Sequence, residues 1–230
     1  MGDKMQTFLP SLSTLLLSVA LLSPLQVTGQ RARAPQEDVL SRSAMIGDES
    51  LPAFSAFEGA LMLSGVPEGV AFVQGCSDQP EPIVHPHGTT LREVLDSITA
   101  GDSRYVWKMK GAVPNLEPSR GVPALLRIHL KFYDSRDLTD AASAVTFLSS
   151  SPEVTRAAAK IGLAHNVSGS ALSGLAQGPP PPKKPLGIRL QNVTLLEALN
   201  AIARANKHGV WRYRETHCGS VHQFDVSFTQ

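Results

Sequence analysis

The chain has 230 residues, 42% of them apolar and 18% charged. That is enough apolar material for a packed core and excludes global disorder. With 21 basic residues against 20 acidic ones, there is no electrostatic case for nucleic acid or an anionic membrane surface as partner. Two cysteines are too few for a disulfide scaffold or a structural zinc site.

Residues 1–29 read as a secretory signal peptide. Lys4 gives a positive start, Leu12 to Leu22 is an apolar run, and Pro24 precedes the small-residue pattern Val27-Thr28-Gly29. The run falls short of the roughly 20 residues a bilayer crossing needs, so a retained anchor and a buried amino-terminal helix are the rival readings. No other segment approaches transmembrane length, and no integral span is expected after cleavage. The expected address is therefore exported, periplasmic or secreted. Export favours a Cys76–Cys218 disulfide, with two unrelated thiols as the alternative.

Residues 30–50 are polar, show no apolar period, and are expected to form a flexible lead-in. Residues 51–118 form a first structured unit. Phe57, Ala60 and Leu61 fit one helix face, Gly65 and Pro67 end that helix, and Val70–Val73 reads as a strand. Pro82-Ile83-Val84 is a short strand. A helix follows, opened by the capping box Thr90 to Glu93, in which the Thr hydroxyl and the Glu carboxylate satisfy each other's backbone amides. Tyr105–Met109 is an alternating strand, and residues 112–116 supply its partner.

Residues 119–164 hold a strand and Ala-rich helices. Leu125–Phe132 alternates, with Leu126, Ile128, Leu130 and Phe132 on one face, and predicts a half-buried strand. Residues 138–163 are helical in character, with Ser151-Pro152 starting a second helix. Residues 165–185 are Gly-, Ser- and Pro-rich and form a linker.

Residues 186–230 repeat the first unit. With Thr90 placed on Thr194, Leu91 falls on Leu195, Glu93 on Glu197, Leu95 on Leu199, Ile98 on Ile202, Val106 on Val210 and Trp107 on Trp211. Both copies open with a capping box, Thr194 to Glu197 in the second. Both show an apolar face at i, i+3, i+4 and i+7, and both end in a strand whose Trp faces away from its basic neighbours. A strand at 186–190 precedes the second helix, and 224–228 closes the unit. The fold class expected is α+β, as two related small α/β units, each with a capped amphipathic helix on a short mixed sheet. Trp107 and Trp211 anchor the two cores.

The order helix, strand, capped helix, strand over 55–117 resembles the secretin and TonB short N-terminal domain. It is carried by Ala60-Leu61-x-Leu63-Ser64-Gly65-Val66, Gly69-Val70-Ala71-Phe72, Thr90-Leu91-x-x-Val94-Leu95-x-x-Ile98 and Tyr105-Val106-Trp107. Thr194-Leu195-x-x-Ala198-Leu199 is similar to a later helix of that family. The resemblance implies a small α/β domain of the bacterial cell envelope, used for protein–protein contact. No secretin pore or receptor barrel is visible after the module, so neither activity is implied here.

Candidate chemistry is sparse. His85 and His87, with His217 and His222 beside Cys218, would form a zinc or copper site if the two ends of the fold met. Cys218 with a neighbouring His has the composition of a thiol nucleophile and base. Two loop histidines before a helix cap and a disulfide are the structural alternatives. No Gly-x-Ser-x-Gly elbow is present, and Glu93 and Glu197 are already accounted for as caps. Lys108, Lys110, Arg212 and Arg214 place positive charge on strand faces. They are either solvated or a face for an acidic or strand-adding partner. The expected function is a non-enzymatic interaction or assembly module of the envelope, with no cofactor and an envelope protein as partner. The alternative is a secreted metal-binding protein or enzyme using the His/Cys cluster.

Overall fold

The computed structural model describes residues 39–44, 50–76, 81–166 and 184–229. The signal peptide read over 1–29 and most of the linker read over 165–185 lie outside the described residues. No described helix is long and apolar enough to cross a membrane.

Ten strands and five α-helices are described. Strand β1 (Leu51–Pro52) leads into helix α1 (Ala53–Leu63), and β2 (Glu68–Gln74) follows. Next come β3 (Ile83–Val84), α2 (Leu91–Gly101), β4 (Tyr105–Lys110) and β5 (Val113–Pro118). A 3-10 turn (Leu125–Arg127) precedes β6 (His129–Asp134), and α3 (Ala141–Ser149) and α4 (Pro152–Lys160) follow. The chain closes with β7 (Ala164–His165), β8 (Arg189–Thr194), α5 (Leu195–Asn206), β9 (Val210–Cys218) and β10 (Val221–Thr229).

The α+β class holds, but the two repeat units share one sheet. Its strand order is β4-β5-β2-β9-β10-β7, with β5, β2 and β9 parallel and β4 and β10 antiparallel to their hairpin partners. Helices cover both faces. Phe57 and Leu61 of α1 and Leu91, Leu95 and Ile98 of α2 pack on Val70, Phe72, Leu116 and Val210. On the other face, α3, α4 and α5 pack on Ala71, Trp211, Tyr213 and Phe224. Alternation along each strand puts successive residues on opposite faces, which separates these two cores.

The second copy is turned over relative to the first. Strand β4 runs antiparallel to β9, and α2 and α5 lie on opposite faces of the sheet. Each copy ends in a two-residue hairpin turn whose first residue is a glycine at positive φ, Gly111 at 64° and Gly219 at 58°. That is the backbone such a turn requires. Gly69 has a different role: a Cβ there would lie 2.3 Å from the Trp211 ring. The Trp211 indole occupies the space that such a side chain would fill.

Three expectations need correction. Leu125–Phe132 is not one strand, because the amides of Leu126, Arg127 and Ile128 donate to the carbonyls three residues back and wind Leu125–Arg127 into the 3-10 turn, with Leu125 and Leu126 both buried. Asn192, at φ 51°, falls where the β6–β8 register is interrupted, between the pairs Leu130–Val193 and Phe132–Gln191. Burial then passes from Leu130 to Tyr133 and leaves Phe132 47% exposed under the Arg189 guanidinium. The strand expected at 186–190 lies at Arg189–Thr194 and pairs with β6, so its last residue is the helix cap. Finally, part of the lead-in read over 30–50 is packed. Leu40 and Ala44 are buried, and the Leu91 amide donates to the Arg42 carbonyl at 2.8 Å.

Candidate functional site

Both capping boxes are formed. The Thr90 hydroxyl accepts from the Glu93 amide, and the Glu93 carboxylate accepts from the amides of Thr89 and Thr90. These donors pull the Glu93 pKa down to about 2. Thr194 and Glu197 repeat the arrangement, and the same kind of bonds lower the Glu197 pKa.

The two tryptophans reveal a further match between the copies. Trp107 donates its indole N–H to Asp96 at 2.8 Å, and Trp211 donates to Asn200 at 2.8 Å. Asp96 and Asn200 are equivalent positions on α2 and α5. Trp107 is half-buried with the Arg92 guanidinium over its ring, whereas Trp211 is fully buried. The chemistry follows the burial. An exposed acceptor tolerates a charge, while a buried one is a neutral amide, because an unpaired buried carboxylate is costly. Asn200 and Asn115 also exchange amide hydrogen bonds at 3.1 and 3.2 Å, which ties α5 to β5.

The four basic strand residues do not form one surface. Lys108 lies opposite Asn115 in the β4–β5 register, so Lys108 and Lys110 face the α5 side. Arg212 and Arg214 face the α1 and α2 side and are ion-paired there. Arg212 makes a two-pronged contact with Glu58 of α1, and Arg214 meets Asp225 across the hairpin at 2.7 Å. The reason is the inversion between the copies: equivalent strand positions project from opposite faces. Lys108 remains exposed, and Lys110 sits 3.6 Å from Glu117. Both belong to β4, a six-residue strand at one end of the sheet, bonded to β5 on one side only among the described residues.

Beside the Arg212–Glu58 pair lies Glu68, fully buried, with no hydrogen-bond partner on either carboxylate oxygen. Burial, and then repulsion from Glu58, push its pKa up to about 10, against the opposing pull of Arg212. One guanidinium serves two carboxylates and is already engaged by one. Glu68 is therefore protonated at neutral pH.

Cys76 and Cys218 form a disulfide, so the protein as described has no free thiol. This removes Cys218 as a nucleophile or thiolate ligand in the oxidised protein. The bridge closes the gap between the ends of β2 and β9, where Gln74 already lies beside Thr216. Near it, His217 and His222 face each other across the hairpin with Nδ1 atoms 2.9 Å apart. The other His217 nitrogen meets Glu215 at 2.6 Å, and Glu215 in turn accepts from Tyr213 at 2.5 Å. His85 and His87 are occupied elsewhere, His85 with the Ser50 hydroxyl at 3.1 Å and His87 with the His85 carbonyl at 3.2 Å. Among the described residues, no three His, Cys, Asp or Glu side chains gather as a metal site requires.

Sequence reasoning did not find Glu58, Glu68, Asn115 or Asn200. A glutamate between Pro67 and the apolar strand was the one available signal for Glu68. Asp96 and Asn200 were findable by extending the repeat alignment. No family model, no curated protein and no solved structure matches this chain.

Proposed function

We propose that the protein is an exported, non-enzymatic interaction module of the bacterial envelope. In this reading it is built from two inverted copies of a unit resembling the secretin and TonB short N-terminal domain, and it takes an added strand from an envelope protein along β4. The observation that carries the reading is the outer position of β4. Its backbone is bonded to β5 on one side only among the described residues. An open edge of that length is a template for main-chain pairing, with alternate side chains supplying selectivity. Lys108 and Lys110 on one face favour an acidic extended segment. Arg212 and Arg214 are left out of the contact, since they lie on β9 inside the sheet and not on its open edge. The alternative reading, chemistry at the His/Cys cluster, has less support: the thiols are spent in the disulfide and the histidines lie in pairs.

The test is in-cell photo-cross-linking from position 108, with position 156 on α4 as control, followed by mass spectrometry. One reproducible envelope adduct from 108, weakened by Lys110→Glu and missing from 156, is the expected result. Equal labelling from both positions, or labelling indifferent to Lys110→Glu, would count against the edge as the docking site.

A further inference from the structure

A cavity of about 610 Å³ opens alongside α5, bounded by the 3-10 turn, the end of β8 and the β4–β5 turn. That volume suits a drug-sized ligand. Its apolar lining comes from Val122, Leu126, Val193 and Leu196. Three cations line it as well, and their states differ. Lys110 is partly neutralised by Glu117 at 3.6 Å. Arg127, from the 3-10 turn, and Arg204, from α5, are both exposed, and neither is ion-paired with a described carboxylate. Glu197 is the acid in the lining, and its carboxylate is held by the Thr194 amide at 2.7 Å and hydroxyl at 2.9 Å. Asn200 is likewise committed, to Asn115 and Trp211. The groups left without a partner are two guanidiniums beside an apolar wall.

We infer that this cavity binds a small amphiphilic carboxylate. The anionic head is held by Arg127 and Arg204, and the aliphatic body lies on Val122, Leu126, Val193 and Leu196. Guanidinium forks match a carboxylate in shape and charge, whereas a neutral amide oxygen can accept from them only without the charge assistance. The inference does not rest on strand addition at β4. The two sites have Lys110 in common, so Lys110 is left unchanged in the test.

Octanoate is the probe and octanamide its neutral match, each titrated into the purified chain by calorimetry. Octanoate is expected to bind about tenfold more tightly than octanamide, the scale of one charge-assisted contact. Arg127→Gln and Arg204→Gln should each weaken octanoate about tenfold, and the double variant should abolish binding. Arg156→Gln, on α4 and outside the cavity, should bind octanoate like the wild type. Thermal melts establish that each variant is folded. If the arginine variants fail to fold, the octanoate-to-octanamide ratio of the wild type decides. Equal affinity for the two probes, no octanoate binding, or undiminished binding by the folded double variant overturns the inference. Cross-linking from position 108 should be unaffected by Arg127→Gln and Arg204→Gln, which keeps the two proposals separable.

Discussion

Replacing Glu68 with Gln should stabilise the protein at neutral pH, although it alters a fully buried side chain. In the unfolded chain Glu68 has its ordinary pKa of 4.5, and in the fold it is pushed up to about 10. Folding therefore takes up a proton at any pH between these values. The contribution of Glu68 is present in full below pH 4.5 and is lost as pH rises through the window up to about 10. At about 1.4 kcal/mol per pH unit, the loss accumulated by pH 7 is about 3 kcal/mol. Gln has the shape of the protonated acid and cannot ionise, so this alkaline slope disappears. The acidic side is set by other groups. Hydrogen bonds to the ionised carboxylates of Glu93 and Glu197 lower their pKa values, and at Asp102, where burial raises the pKa, the hydrogen bonds and charge of Arg104 bring it down on balance. Their stabilisation is present above the unfolded values and is lost as pH falls through the folded ones. The wild type should thus be most stable in mildly acidic buffer. The assay is urea denaturation of both proteins from pH 4.5 to pH 8.5. The expected result is equal stability near pH 4.5 and an advantage for Glu68→Gln of about 3 kcal/mol at pH 7. A pH-independent difference, or a variant less stable at pH 7, would show that Glu68 is ionised and shares Arg212 with Glu58, and would refute the reasoning.

Two further outcomes follow from the geometry. Reducing the disulfide, or replacing Cys76 and Cys218 together by Ser, releases a loop spanning 142 residues. The chain-entropy model assigns that about 4 to 5 kcal/mol as an upper figure. Melting with and without reductant should show a drop of several degrees, and an unchanged melting temperature would mean that the β2–β9 ladder alone holds this end. Trp211→Phe leaves buried Asn200 without its indole donor and should cost about 1–3 kcal/mol in urea unfolding. Trp107→Phe, at the half-buried equivalent, should cost under about 1 kcal/mol, and equal losses would contradict the difference drawn between the copies.

The repeat was legible in the sequence because its signals are local. A Thr three residues before a Glu caps a helix whatever surrounds it, and both boxes form at Thr90 and Thr194. The apolar period of α2 and α5, and the opposition of Trp to its basic neighbours on β4 and β9, depend only on helix and strand geometry. The cysteine pairing was legible too, as a consequence of the export expected from residues 1–29 and not of any measured distance. At Leu125–Leu126 the alternation pattern alone gave the wrong element, and at Phe132 it gave the wrong face.

What the sequence by itself determined, then, is the set of parts: five capped or turn-bounded helices, the strands between them, and the relation of one unit to the other. Only the tertiary structure decided that the two units share one sheet, and that the second is turned over. That choice sent Lys108 and Arg212 to opposite faces although they hold equivalent strand positions. It buried Glu68 next to an ion pair formed by residues 154 positions apart, and it opened the cavity between α5 and the β4–β5 turn. Such outcomes depend on which strand edges pair and which helix covers which face. Those are choices among long-range contacts, and a side chain's own neighbours in sequence carry no information about them.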